Sequence, residues 1–179
     1  LAMPAYIYKF FPYYKDNLKP RQNDMLTWAL LTGIIGFAMV MGAGIGLKHL
    51  VIQKFGTNSP LLIVYYYWVF PFGLGLTIYS ILEAYTWCIG KPIVTNFFRE
   101  VQWRLFTTLI IVLFITNVIK DFDLFIKLYA LTYPGIALFI LCYLFFTKKI
   151  HFTFRISKVS RRFLKKIVLL CTFFYGATL

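Results

Sequence analysis

Hydrophobic and polar positions alternate in long blocks along this chain, not in the short mixed patterns of a soluble domain. Residues 25–47 run 23 positions without a charge, enough at about 1.5 Å per residue to cross a hydrocarbon core of about 30 Å. Three more apolar blocks follow at about 61–89, 101–119 and 128–147. The pattern predicts an all-α integral membrane protein, a four-helix transmembrane bundle. Asp24 is placed to cap the first span. The second block exceeds one bilayer crossing and carries Pro71, Gly73 and Gly75, so it is expected to tilt, protrude or kink at Pro71. The fourth carries Pro134 and Gly135.

Beyond the fourth block the pattern changes. In KKIHFTFRISKVSRRFLKK, the residues Phe152, Ile156, Val159, Phe163, Ile167 and Leu170 recur at helical spacing. Arg155, Lys158, Arg161, Arg162 and Lys165 occupy much of the remaining surface. Ile150, Phe152, Phe154 and Ile156 also alternate as in a strand, but the helical register continues after that alternation stops. Residues 148–179 are therefore expected to form a basic amphipathic interfacial helix with an apolar tail, its cations set against lipid headgroups. The opening residues 1–24 are aromatic-rich, with Tyr6, Tyr8, Phe10, Phe11, Tyr13 and Tyr14 broken by Pro4 and Pro12. They are expected to lie extended along headgroups or in a neighbour's groove. They have neither the charged start and apolar run of a signal peptide nor the Arg- and Ser-rich pattern of a transit peptide, so no targeting segment is expected within them.

Charge orients the bundle. Four spans put both termini on one side, and that side holds fifteen of the nineteen Lys and Arg residues. Only Lys48, Lys54, Lys120 and Lys127 fall on the other. The positive-inside rule then places both termini in the cytoplasm or an organelle's matrix. Composition agrees, at 60% hydrophobic and 14% charged residues with a mean hydropathy of +0.74. The net charge of +13 is interleaved with apolar spans, which points to anionic phospholipids such as cardiolipin or to other membrane-protein subunits, and not to nucleic acid.

The candidate chemistry is sparse. GIIGFAMVMGAGIGLK, residues 33–48, resembles a phosphate loop only in glycine content. Gly42, Gly44 and Gly46 have the wrong spacing, and neither Ser nor Thr follows Lys48. Ala38, Gly42 and Gly46 recur every four residues, which makes a small-residue stripe suited to close docking of another helix. Glu83 is the lone carboxylate in a long apolar block; at the end of its span it is expected to pair with Lys91 or Arg99, and an ion path is the rival role. Two histidines, His49 and His151, fall on opposite sides of the predicted topology, and Cys88, Cys142 and Cys171 are scattered. No catalytic residue, cofactor or metal site is assigned on this pattern. The expected role is a non-catalytic accessory subunit of a larger membrane complex, with the mitochondrial inner membrane favoured because loops are short and no independent active-site set exists. A small channel or transporter component is one alternative. A lipid-binding or lipid-modifying protein of the endoplasmic reticulum is the other.

Overall fold

A computed structural model describes residues 2–55 and 60–176. The described residues form helices and connections without a strand. Two helices are long and apolar enough to cross a membrane, Met25–Gly46 and Phe122–Phe146. The first is α2, preceded by α1 (Ala2–Asn17) and followed by the short α3 (Lys48–Phe55).

The chain then returns through α4 (Pro60–Val64), a 3₁₀ turn at Tyr66–Trp68, and α5 (Val69–Cys88). The irregularity expected at Pro71 lies ahead of it. Pro71 is the third residue of α5, where its missing N–H would have had no intrahelical acceptor, so it does not kink the helix. Gly90, with φ +76°, then ends α5, and Lys91 N–H reaches back to the Thr86 carbonyl at 3.1 Å, a turn that glycine adopts without strain.

Next come α6 (Pro92–Asn96), a π-helical turn at Phe97–Gln102, and α7 (Trp103–Ile115), so helix begins well before the apolar block expected at 101. Finally α8 (Phe122–Ala130) and α9 (Thr132–Phe146) adjoin at Leu131, and α10 (Lys158–Gly176) closes the chain. Pro134, like Pro71, sits in the first turn of its helix.

Two expectations need correction. The opening segment is not extended: α1 is a helix with Pro12 on its exposed side. Tyr6, Ile7, Phe10, Phe11 and Tyr14 recur at helical spacing, and all are buried in the core with α2, α5 and α9 residues. The C-terminal helix does not begin at 148. Residues 149–157 are neither helix nor strand, so Arg155, Phe152 and Ile156 precede α10; Ile150 is buried there while Phe152, Phe154 and Ile156 are exposed. From Val159 onward the register holds, with Phe163, Ile167 and Leu170 packed on the core. The end of the expected apolar tail, 177–179, lies outside the described residues.

Candidate functional site

The glycines of α2 fall into two groups. One meets α5. A Cβ on Gly33 would stand 2.5 Å from Ile81 Cδ1, and one on Gly44 would stand 3.1 Å from the Phe70 ring. The Tyr66 hydroxyl donates to the Gly44 carbonyl at 2.7 Å. In return Gly73 of α5 receives the Phe37 ring, with 3.0 Å left for a Cβ. Bare backbone on one helix opposes a large side chain on the other, Ile81 at Gly33 and an aromatic ring at Gly44 and Gly73, which is how these two helices close together. Gly75 does the same for α9, where an added Cβ would overlap the Pro134 ring and nitrogen.

The predicted stripe belongs to the second group. Gly42 and Gly46 have nothing within 4 Å of a Cβ position, and Ala38 is exposed. Among the described residues nothing therefore packs on Gly42 and Gly46, and the stripe is flanked by the exposed Met39, Val40 and Ile45. Spacing alone cannot say which glycine face meets a neighbour. The missing signal was the matching set of rings at 37, 66 and 70.

Glu83 joins a chain of alternating charge. Arg99 Nη1 lies 3.0 Å from Glu83 Oε1, and the Tyr79 hydroxyl donates to the same oxygen at 3.3 Å. Arg99 Nε also reaches Glu100 at 3.3 Å, and Arg104 reaches Glu100 at 3.0 Å. The π-helical turn at Phe97–Gln102 carries both Arg99 and Glu100. Lys91, the other expected partner of Glu83, instead donates to the Tyr143 hydroxyl at 3.4 Å. A carboxylate held by two donors is a packed ion pair more than a free proton acceptor.

Sequence reasoning missed the most connected polar site. Asp24 is fully buried and makes no side-chain cap on α2; Asn23 accepts the Met25 N–H there instead, at 3.1 Å. Asp24 Oδ2 accepts the Ser157 N–H and the Ser160 hydroxyl, each at 2.8 Å. Ser157 Oγ accepts the Ser160 N–H at 3.1 Å, capping the start of α10. The Ser160 hydroxyl contacts the Tyr14 hydroxyl at 2.7 Å, and Tyr14 contacts Tyr6 at 2.9 Å. Two neighbouring segments near the start of the chain and a third from 157–160 thus share one hydrogen-bonded latch. Burial raises the pKa of Tyr14 above its ordinary value and the Asp24 charge adds to this, while the hydrogen bonds from Ser160 and Tyr6 act the other way. No pattern within any single segment reveals such a latch, because its partners are separated by 133 and 146 positions.

The predicted headgroup contacts Arg155, Lys158, Arg161, Arg162 and Lys165 are all exposed, the last four on α10 away from its buried side. Among the described residues no three His, Cys, Asp or Glu side chains are placed to hold a metal ion. Comparison with protein families, with curated proteins and with solved structures finds no match to this chain.

Proposed function

We propose that this chain is a non-catalytic accessory subunit of a larger integral membrane complex. In this reading it crosses the bilayer four times, through α2, α4 with α5, α6 with α7, and α8 with α9. Both termini and the basic residues lie on the cytoplasmic or matrix side, where fifteen cations against four satisfy the positive-inside rule. The mitochondrial inner membrane, in an assembly of the respiratory-chain or ATP-synthase type, suits a basic chain with short connections and a partner lipid such as cardiolipin.

The observation that carries this reading is the open stripe Ala38–Gly42–Gly46. A small-residue row on an apolar helix permits close backbone approach, and here no described residue of the bundle stands against Gly42 or Gly46. The Glu83–Arg99 pair supports a packing role for Glu83 over an ion path. The test is native electrophoresis of mildly solubilised membranes with mass spectrometry of the comigrating proteins. The chain is expected to run far above its own 21.0 kDa. Gly42→Leu or Gly46→Leu is expected to release it, while Gly135→Leu, another glycine with open space around a Cβ position, leaves it assembled. Equal assembly of all three variants would remove the support for the stripe.

A further inference from the structure

An apolar groove of about 790 Å³ opens between α2 and α10, and no described residue fills it. One wall is the i,i+4 row Trp28, Thr32, Gly36 and Val40 of α2. The facing wall is the equivalent row Ser160, Leu164 and Val168 of α10. Both rows start at the latch, because Ser160 is bonded to Asp24 and Asp24 lies one turn before Trp28. The groove therefore has the Tyr14 and Ser160 hydroxyls at this end, and away from it the lining is apolar but for Thr32, Thr77 and Thr172. Arg161 and Lys165 are exposed one turn before Leu164 and Val168, on the same side of the helix. From Trp28 to Val40 the α2 wall is about 18 Å long at 1.5 Å per residue. Half of a bilayer core is about 15 Å.

We propose that this groove binds one anionic phospholipid, its acyl chain lying between α2 and α10 and its phosphate drawn to Arg161 and Lys165. Length matches one leaflet, the polar and apolar ends match an amphiphile, and the cations match the sign of the headgroup. The site requires the membrane placement proposed above but not the accessory role. It goes beyond general attraction of a basic surface for a membrane, because it holds one lipid in one place. Gly36 gives the means to test it: a Cβ there meets nothing within 4 Å, so a larger side chain fills the groove without displacing the chain's own packing.

The experiment reconstitutes the full chain in phosphatidylcholine nanodiscs containing a trace of phosphatidylglycerol with a photoactivatable group at the acyl terminus. Crosslinks are mapped by peptide mass spectrometry. Reconstitution itself reports the membrane placement, so its failure is separable from failure of the site. Labelling is expected to concentrate in 28–40 and 164–172. Each cation removed, by Arg161→Gln or Lys165→Gln, is expected to weaken it about fivefold. Gly36→Leu is expected to abolish it with an unchanged melting temperature, and Val168→Trp offers the same block from the other wall should Gly36→Leu recover poorly. Gly42→Leu, outside the groove, is expected to have no effect. Labelling spread evenly over the exposed apolar helices, equal labelling by a phosphatidylcholine probe, or labelling indifferent to both blocking variants would overturn the proposal.

Discussion

Replacing Asp24 with alanine is expected to undock α10. Asp24 Oδ2 accepts two hydrogen bonds at 2.8 Å in a fully buried site. Hydrogen bonds to a charged group contribute about 1.5–3 kcal/mol each, and an orphaned buried N–H costs about 1–3 kcal/mol. Against this stands the desolvation of the carboxylate, several kcal/mol per ion, which its removal relieves. The balance for Asp24→Ala is a loss of about 3 kcal/mol, which multiplies the undocked population about a hundredfold. Asp24→Asn separates geometry from charge. Its carbonyl keeps the acceptor for Ser157 and Ser160, and its amide takes the place of Oδ1, which has no partner among the described residues. This isostere is expected to stay within about 1 kcal/mol of the parent. The assay is limited proteolysis of the 149–157 connection in lipid nanodiscs, with cleavage rates read as opening equilibria. Equal cleavage of Asp24→Ala and the parent would refute the latch. An Asp24→Asn variant as labile as Asp24→Ala would show that charge, not the acceptor oxygen, holds α10.

The same assay carries a pH prediction. Tyr14 has its folded-state pKa raised above 10.0, so its contribution to stability is complete below pH 10.0 and is lost as pH climbs through the raised value. The alkaline rise in cleavage is expected to be smaller for Tyr14→Phe than for the parent; an identical rise would sink this assignment. Among glycine-to-alanine changes, Gly75→Ala is expected to cost over about 2 kcal/mol in detergent unfolding, because the overlapped Pro134 is rigid. Gly33→Ala is expected to cost less, since Ile81 Cδ1 is the end of a side chain, and Gly42→Ala to gain about 0.5–1 kcal/mol by helix propensity. A different order would contradict the packing described. Cysteines placed at Lys54 and Lys158 are expected to label from opposite compartments, and labelling of both from one side would defeat the four-span topology. Glu83→Gln is expected to leave the activity of the assembled complex unchanged, whereas a large fall at full assembly would restore the ion-path reading.

Much of the helical content was legible because 25–46 and 128–146 are so apolar that only helices suit them, whereas the charged turn before 128, with Asp123 and Lys127, is already helix in α8. Boundaries were less so. Pro71 reads as a breaker by type, yet its place in a first turn makes it harmless, and only the structure fixes that place. The α1 helix was hidden by Pro4 and Pro12, although the spacing of Tyr6, Phe10 and Tyr14 already had a helical period. Gly75 and Pro134 were each visible as local disruptors, but that they disrupt nothing and instead fit one another is a tertiary fact. Asp24 was read from its neighbours as a cap, whereas its partners arrive from the far end of the chain. Local rules identify which residues are unusual, and long-range packing decides what they are for.

In the proposed role the open face of α2 docks on a different protein. A photoreactive benzoylphenylalanine at Gly42, irradiated in intact membranes, reads that contact in place. One covalent product with a distinct polypeptide is expected with the probe at Gly42 or Gly46, and none with it at Gly135. Adducts with lipid alone, or with a second copy of this chain at twice 21.0 kDa, would contradict it.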